Sequence, residues 1–411
     1  MMNKLSLFQL VMWVVFPALF MACGGRSPVS RDAASLTVID VESALAHLED
    51  ELTLSDLYDT VRYVPLETSD SCLVGAYPSV RVVDGCIVVS SYSGTALCHS
   101  FDAQTGRFLT RIGQSGEGPE DYTNSSPCYN ARDGLLYFLR EPDGLQKYDL
   151  QGRYQGRLRL PTRFPMPVQY VFTDSLIVGR FNNRWPATDC VMLSFTPEGQ
   201  FVDSIFDPMA LVGYPPLAGT GYTNLKPLAG GSMLALTTFG GSDAWNSIRG
   251  GEVYECGGQV KYHADFSDTV HVLKDGHLYP SIVFHTGSRH FPPEGRARAE
   301  GYSDKVVITG VKESPERITF FCTRNIYGEE PDHYFGIYEC HSGTLRMAPT
   351  DGTFRDDIAG FMPYETSLIE AYKVTAWLEE HPEASQNPAL APLLQVKEED
   401  NPVIVIGESF R

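Results

Sequence analysis

The sequence predicts an all-β fold made of repeated four-stranded sheets, and three observations lead to this prediction. Segments with an aromatic start, a polar turn containing glycine and an alternating strand recur at Phe101, Tyr148 and Phe195, which are 47 residues apart. The composition of 21 Tyr, 22 Phe, 37 Gly and 27 Pro suits many short strands joined by tight turns. No helical periodicity separates the strands. Four strands in about 47 residues are typical of one β-propeller blade.

Residues 1–22 predict a cleaved export signal. Lys4 precedes an apolar run over residues 5–20 that contains Pro17 and is shorter than the roughly 20 residues of a membrane-spanning helix. The run ends in LFMAC, which resembles a bacterial lipobox, so we expect the thiol of Cys23 to be acylated. The alternative is a plain secretory signal in which Cys23 is incidental.

The residues after Cys23 predict the location of the protein. Gly24 stands where an aspartate would resemble an inner-membrane retention signal, and no acidic cluster follows that would resemble a surface-export signal. We therefore expect an outer-membrane lipoprotein of the cell envelope on the periplasmic face, with surface exposure left open. Residues 23–55 are expected to form the lipid-anchor tether and lead-in, and residues 56–411 the propeller.

The charge of the chain argues against nucleic acid as a partner. The sequence has 51 acidic and 32 basic residues, a net charge of −19. The electrostatic field of a chain with this negative charge repels the phosphate backbone of a nucleic acid. The simpler explanation is that the acids keep an exported protein soluble.

The cysteines leave the disulfide state open. Eight remain beside Cys23, an even number that permits disulfides in an oxidising compartment, and Cys322 with Cys340 is one possible hairpin pair. No CxxC spacing occurs, so we expect no structural zinc site. We also expect no cofactor.

The stretch RIGQSGEGPEDY, residues 111–122, holds three glycines in six positions. A phosphate-binding loop needs its glycines to open a helix, and usually a lysine to neutralise charge. Pro119 and two acids follow instead, with no helical pattern. We interpret the stretch as a loop between blades, with positive φ at Gly113, Gly116 and Gly118.

From about Asp56 onward the chain resembles the bacterial six-bladed β-propeller lipoproteins with NHL-like repeats. The resemblance is carried by the blade at residues 101–127, VRYVPLETSD (61–70), YHADFSDTVHVLKDGHLYP (262–280) and EEDNPVIVI (398–406). Most members of that family have no assigned activity. The resemblance therefore implies a fold and a location and leaves the chemistry undetermined.

The length of the folded part and the pattern near the C-terminus both bear on the number of blades. Six blades of about 47 residues need about 282 residues and seven need about 329, and residues 56–411 could hold either number. Residues 366–396 favour six, because TSLIEAYKVTAWLEEHPEA predicts a short helical insertion. The closing strand in NPVIVIGESF is predicted to pair near Val61 to Leu66, which removes the open sheet edges.

No catalytic motif is complete in the sequence. There is no G-x-S-x-G elbow and no HExxH, and His285 and His290 in HTGSRHF are a weak metal signal. We expect no metal site. Abundant carboxylates leave a hydrolase or lyase at the channel mouth as an alternative.

Two segments place tryptophan and arginine beside small polar residues in predicted loops. NNRWP offers Arg184 and Trp185, and GGSDAWNSIRGG offers Trp245 and Arg249. Flat aromatic faces near planar donors are typical of a glycan or peptide platform. The simpler alternative is that both tryptophans fill gaps between blades. The sequence thus favours a lipid-anchored binding module for an oligosaccharide, peptide or envelope protein, with a structural envelope component and an enzyme as alternatives.

Overall fold

The computed structural model describes residues 36–409 without residues 77, 92–97, 162–165, 182–189, 207–221, 239–243, 250–251, 298–299 and 365–367. Of residues 222, 244, 245 and 249 it describes the backbone. Residues 36–411 form one compact unit. The predicted signal and Cys23 lie outside the described residues.

Twenty-seven strands lie in the described part of the chain, mostly in antiparallel sheets of consecutive strands. They begin with β1 (Thr37–Asp40), helix α1 (Val41–Leu45) and β2 (Thr60–Pro65). Sheet I holds β3 to β6, which span Ser79–Val83, Cys86–Ser90, Cys98–Asp102 and Phe108–Arg111. Sheet II holds β7 to β10, which span Cys128–Asn130, Leu135–Arg140, Gly144–Tyr148 and Tyr154–Arg159. Sheet III holds β11 to β14, which span Gln169–Phe172, Ile177–Arg180, Cys190–Phe195 and Phe201–Phe206.

The second half of the chain adds four more sheets. The insert sheet holds β15 to β17, which span Tyr222–Pro227, Met233–Thr238 and Ala244–Arg249. Sheet IV holds β18 to β21, which span Glu252–Cys256, Gln259–His263, Thr269–Lys274 and His277–His285. Sheet V holds β22 to β25, which span Val306–Glu313, Arg317–Arg324, Asp332–Glu339 and Thr344–Pro349. Sheet VI combines β2 with β26 (Leu368–Ile369) and β27 (Val403–Glu408).

Neighbouring sheets share apolar cores, as the blades of a β-propeller do. Strand β4 is buried at all five positions, because it is an inner strand covered on both faces. Sheet III shares its core with sheet IV, although the insert sheet lies between them in sequence. Members of the shared cores are Val88 and Phe138 (I, II), Leu145 and Tyr170 (II, III), Met192 and Tyr262 (III, IV), Ile282 and Phe320 (IV, V), Phe335 and Val61 (V, VI), and Ile404 and Phe101 (VI, I).

The repeated glycines serve both the turn and the contact with the preceding sheet. Gly106, Gly152 and Gly199 have φ of 71°, 78° and 88° in the outer hairpins of sheets I to III, as the hairpin prediction requires. A Cβ on Gly152 would lie 2.6 Å from the carbonyl oxygen of Arg111, and one on Gly199 would lie 2.4 Å from that of Arg159. Each turn therefore rests on the backbone of the sheet before it.

The insert sheet corrects one part of the sequence analysis. Trp245 and Arg249 were expected in a loop, whereas the backbone places them in β17, which pairs with β16. The pattern alternates, and Asn246 and Ile248 are buried. Glycine pairs at each end of the segment made it resemble a loop. The sheet packs over sheets IV and V through a core that includes Leu234, Phe291 and Val307.

Sheet VI joins the two ends of the chain. Strand β2 pairs with β27 from Thr60 opposite Glu408 to Pro65 opposite Val403, which confirms the predicted pairing of the closing strand. Between β26 and β27 lie helix α2 (Ala371–Glu380) and two 3₁₀ helices, Pro382–Gln386 and Pro388–Gln395. Their apolar residues Val374, Leu390 and Leu393 are buried against sheet VI.

The N-terminal strap, residues 36–58, lies along sheets IV and V. Strand β1 adds to sheet IV parallel to β21. Arg346 of sheet V donates hydrogen bonds to Glu49 Oε1 and Asp56 Oδ1, both at 2.7 Å. The hydroxyl of Ser55 donates to Asp357 Oδ2 at 2.6 Å. Most of the predicted lead-in is therefore folded onto the sheets.

The glycine-rich stretch forms a loop that an aspartate holds in place. The amide of Gly118 donates to Asp121 Oδ2 at 2.7 Å, and Arg140 donates to the carbonyl oxygen of Gly116 at 2.6 Å. Gly113 has the expected positive φ of 55°, whereas Gly116 and Gly118 do not adopt positive φ. Glycine is needed at 116 because a Cβ there would lie 2.3 Å from Asp121 Oδ2. The prediction of a loop is confirmed. The predicted positive φ is found at Gly113 and is wrong at Gly116 and Gly118.

The cysteines from Cys72 onward are all free thiols. Cys322 lies opposite Tyr334 in the β23–β24 ladder, so it does not oppose Cys340. Among the described helices, none is long and apolar enough to cross a membrane.

Candidate functional site

A cavity of about 610 Å³ lies where sheets V and VI meet the N-terminal strap. Its wall reaches from Leu57 and Tyr58 of the strap, across β22 and β23, to Val405 of β27, and it extends to Glu252 at the start of β18. Binding cavities for small ligands typically measure about 300–1,000 Å³. The cavity is therefore the candidate binding site.

One side of the cavity is apolar. Leu57 and Val405 line it together with Phe321, Phe335 and Phe354. The three phenylalanines are only 8%, 5% and 8% exposed, because their rings pack against one another with centroids 4.8–6.5 Å apart. These phenylalanines thus offer ring edges, whereas Tyr58 of the same cavity is 38% exposed.

Arg317 fixes the boundary between the cavity and the strap. One of its guanidinium nitrogens donates to the carbonyl oxygens of Asp56 and Leu57, at 3.2 and 2.8 Å. The guanidinium also lies 3.7 Å from Glu339 Oε1. These contacts engage Arg317 in holding the strap.

Glu313 belongs to a polar network between sheets IV and V. The hydroxyl of Tyr254 donates to Glu313 Oε2 at 2.9 Å, and Lys261 Nζ lies 3.4 Å from Glu313 Oε1. Lys261 is 5% exposed and also donates to Ser281 Oγ at 2.6 Å. A buried ion pair of this kind is costly to break, because one charge would remain without a partner. The role of Glu313 is therefore to join two sheets.

Glu252 is an acid of the cavity wall whose carboxyl pKa is raised. Burial raises the pKa of its carboxyl group, and the positive charges of Lys312, Arg180 and Arg81 oppose that shift. No ion pair joins Glu252 to any of these cations among the described residues. Of these cations, Lys312 lines the cavity beside Glu252.

Strand pairing explains why Arg180 lies near Glu252. Arg180 is directly opposite Gln169 in the β11–β12 ladder, so both side chains are on the same face of sheet III. The side-chain amide of Gln169 donates to the carbonyl oxygen of Val253 at 3.1 Å. That face is therefore turned toward the start of β18. The Nε of Arg180 is buried without a hydrogen-bond partner in the part of the chain that the structure describes.

The predicted binding residues are not tested by this geometry. Arg184 and Trp185 belong to residues 182–189, outside the described residues, and the side chains of Trp245 and Arg249 are also outside them. In sequence, β12 ends at Arg180 just before residues 182–189, and Arg249 precedes Glu252 by three positions.

Sequence reasoning missed Glu252, Lys312 and Arg180. Glu252 begins β18 and Lys312 is next to last in β22, each with a second charge in its strand, whereas Arg180 is a lone charge at the end of an apolar strand. Such a charge costs free energy when buried, so it is a usable signal for a site. Among the described residues, no group of three or more His, Cys, Asp or Glu side chains could hold a metal ion. His285 and His290 instead accompany Asp40 and Asp268, at 3.4 and 2.9 Å.

Comparison with known proteins gives a family and a fold. Residues 36–408 match the family model described as Domain of unknown function (DUF4934). The chain resembles the crystal structure of a Bacteroides fragilis protein described as exported, with a TM-score of 0.56 and 13% identity, over 91% of this chain and 100% of that one. This likeness shows a shared fold.

Weaker structural likenesses are also found. A Bacteroides vulgatus member of the DUF4221 family has a TM-score of 0.41 and 11% identity, over 85% of this chain and 98% of that one. BamB from Moraxella catarrhalis has a TM-score of 0.24 and 17% identity, over 62% of this chain and 57% of that one. No curated protein matches the sequence.

Proposed function

The chain belongs to the DUF4934 family, and from that membership and the cavity between sheets V and VI we propose that it is a lipid-anchored propeller that binds a ligand at the cell envelope. The observation that carries the proposal is the cavity of about 610 Å³, with one apolar wall and one charged end. A purely structural component would have a filled interior there.

The proposed architecture is a closed ring of six blades, sheets I to VI, with the insert sheet outside the ring. Each of these sheets shares an apolar core with the next, and sheet VI shares one with sheet I. The turn contacts follow the same order, because Gly106 of sheet I rests on Pro65 of sheet VI. A closed ring removes exposed sheet edges and gives a rigid frame for the cavity.

The proposed ligand is a peptide. Leu57, Val405 and the edges of the three phenylalanines make this wall apolar, so an apolar peptide side chain suits it, and the partly exposed ring of Tyr58 adds an aromatic contact. Gly231 lines the cavity with open space where a Cβ would stand, so the backbone of a ligand can come close there.

Thermal unfolding of the full chain in detergent tests the binding proposal. The probes are a pool of tripeptides ending in Leu, Phe, Val or Tyr, and maltohexaose as the neutral sugar. A ligand at 100 times its dissociation constant stabilises the folded state by about 2.7 kcal/mol. We expect the peptides to raise the unfolding temperature. Thr319→Trp fills the cavity and should abolish the shift, and Thr344→Trp, on the exposed edge of the same sheet, should preserve it.

Three outcomes would contradict this proposal. A shift with maltohexaose alone would replace the peptide with a glycan. A shift unaffected by Thr319→Trp would move the site away from the cavity. Cleavage of the peptides, detected by mass spectrometry and lost in Glu252→Gln, would favour the hydrolase alternative, which the raised pKa of Glu252 makes chemically reasonable.

The lipid anchor is proposed at Cys23 on the outer membrane, facing the periplasm. It rests on the lipobox-like LFMAC and on Gly24. Metabolic labelling with a radioactive fatty acid tests it. We expect label in the wild-type protein and none in Cys23→Ser, which should appear in the soluble periplasmic fraction. Wild-type protein without label would contradict acylation of Cys23 and favour the alternative of a plain secretory signal.

A further inference from the structure

A small side pocket lies next to the cavity. Its volume is about 10 Å³, and its wall is formed by the insert sheet, the segment after β19 and strand β22. Ser232 and Gly310 line both the side pocket and the cavity of about 610 Å³. A space of about 10 Å³ holds one group the size of a water molecule. The side pocket is therefore too small for a ligand of its own, and it adjoins the proposed binding site.

Thr309 connects the side pocket to the apolar wall of the cavity. It lies opposite Phe321 in the β22–β23 ladder, so both side chains are on the same face of sheet V. Phe321 lines the cavity, and Thr309 lines the side pocket. Gly310, the next residue along β22, lines both spaces. A ligand in contact with Phe321 is therefore close to the side pocket.

The hydroxyl group of Thr309 is buried and lacks a partner. The residue is only 3% exposed, and its Oγ1 has no hydrogen-bond partner among the described residues. A buried hydroxyl without a partner destabilises the folded state. Valine has nearly the same shape and would avoid this cost, so packing alone gives no reason for a hydroxyl at this position. The hydroxyl of Thr309 points instead to a group that a ligand brings into the side pocket.

The polar groups of the side pocket determine what that group must offer. Asp265 contributes a carboxylate, whose Oδ2 accepts a hydrogen bond from the amide of Ile248 at 3.1 Å. A carboxylate can accept several hydrogen bonds, and Thr309 Oγ1 can donate or accept. His263 Nε2 lies 2.9 Å from the carbonyl oxygen of Ser267, and burial lowers the pKa of the ring to about 4, so the imidazole is neutral at pH 7. A group with one heavy atom that both donates and accepts is a hydroxyl.

We propose that the side pocket binds the hydroxyl group of a serine in a peptide whose apolar side chain lies against Phe321. The serine hydroxyl accepts a hydrogen bond from Thr309 Oγ1 and donates one to the carboxylate of Asp265. This inference rests on the proposed peptide-binding function and adds a determinant of specificity. A site that hydrogen-bonds a hydroxyl rejects the analogue without it, because its own polar groups would stay unpaired. The side pocket therefore selects serine over alanine.

Two matched pools of tripeptides test this inference by calorimetry on the full chain in detergent. Both pools end in Leu, Phe, Val or Tyr. In one pool the first or second residue is serine, and in the other pool alanine replaces that serine. We expect the serine pool to bind about tenfold or more tightly than the alanine pool, since the hydroxyl gains two hydrogen bonds and one of them is to a charged group.

Thr309→Val assigns the effect to the side pocket, because it removes the hydroxyl and keeps the shape of the side chain. It should lower the affinity for the serine pool to that for the alanine pool and leave the affinity for the alanine pool unchanged. Without ligand, this variant should unfold at a temperature no lower than that of the wild type, since a hydroxyl without a partner is lost. The control is Thr344→Val, on the exposed edge of the same sheet, which should change none of these values.

The results separate this inference from the function on which it rests. Equal affinities for the two pools, both lost in Thr319→Trp, would keep peptide binding and overturn the hydroxyl site, leaving an ordered water in the side pocket. A lower unfolding temperature of Thr309→Val without ligand would show that its hydroxyl already has a partner, and an equal loss of both pools would show general damage. Either result would also overturn the hydroxyl site. Binding of neither pool to the wild type would refute the proposed peptide-binding function and this inference with it.

Discussion

Replacing Asn401 by alanine should destabilise the closure of the chain. Asn401 lies in the segment EEDNPVIVI, is 4% exposed and precedes β27. Its side-chain amide donates to the carbonyl oxygens of Glu67 and Cys72, at 2.7 and 2.9 Å. Its Oδ1 accepts from the amide of Val74 at 2.9 Å. The side chain of Asn401 therefore links the segment before β27 to the loop that follows β2, the strand with which β27 pairs.

The size of the loss follows from the groups left without partners. The carbonyl oxygen of Glu67 keeps a contact with Cys72 Sγ at 3.1 Å, so it remains partly satisfied. The carbonyl of Cys72 and the amide of Val74 lose the contact with Asn401. At about 1–2 kcal/mol for each buried orphan, plus the lost bond to Glu67, the cost is about 3 kcal/mol. For a unit spanning residues 36–411, the entropy of unfolding is about 0.8 kcal/mol/K, so the unfolding temperature should fall by about 4 °C.

Differential scanning calorimetry of the full chain in detergent measures this change. Glu399→Ala, an exposed neighbour two residues earlier, is the matched control and should shift the temperature by less than about 1 °C. Asn401→Asp keeps the shape and loses both donors, so it should be as harmful as alanine. A fall of less than about 1 °C in Asn401→Ala would refute the reasoning and leave the β2–β27 pairing as the sole closure.

Three further predictions concern the loop, a buried histidine and the strap. Gly116→Ala places a Cβ 2.3 Å from Asp121 Oδ2 and should cost about 1 kcal/mol in urea unfolding, with Ser115→Ala at the exposed neighbouring position as the control. Burial lowers the pKa of His263 from 6.5 to about 4, so the unfolded chain binds a proton first as the pH falls. Stability should decline by about 3 kcal/mol between pH 6.5 and 4, and His263→Gln should flatten that decline; an unchanged slope would exclude His263 as its source. Arg346→Met removes the bonds to Glu49 and should speed cleavage of the strap by a glutamate-specific protease, with a cost of only about 1 kcal/mol because these side chains are partly exposed.

The repeated sheets could be predicted because their signals are local. The aromatic start and the turn glycine at Gly106, Gly152 and Gly199 recur at a fixed spacing, and each turn needs that glycine for its own φ and for contact with the preceding sheet. The pairing of β2 with β27 could also be predicted, since both strands are apolar and stand at opposite ends of the folded chain.

The insert sheet and the cavity could not be predicted, for different reasons. The insert sheet lacks the aromatic start and the turn glycine that recur in the repeats. The glycines that flank β17 are typical of a loop. The cavity is assembled from Leu57, Glu252, Lys312, Phe321 and Val405, which are distant in sequence. Knowing which strand positions face the cavity requires the relative placement of sheets IV to VI and the strap, and sequence periodicity carries no information about that placement.

The pairing of β2 with β27 also determines when folding can finish. Strand β2 cannot pair until β27, the central strand of sheet VI, has been synthesised more than 300 residues later. During synthesis, sheets I to V can form as their strands emerge, while the unpaired edge of β2 stays exposed to other chains. Such long-range contacts slow folding. A chain cut short by its last ten residues would retain nearly all of its sequence and still lack β27, so we expect it to aggregate or to be degraded.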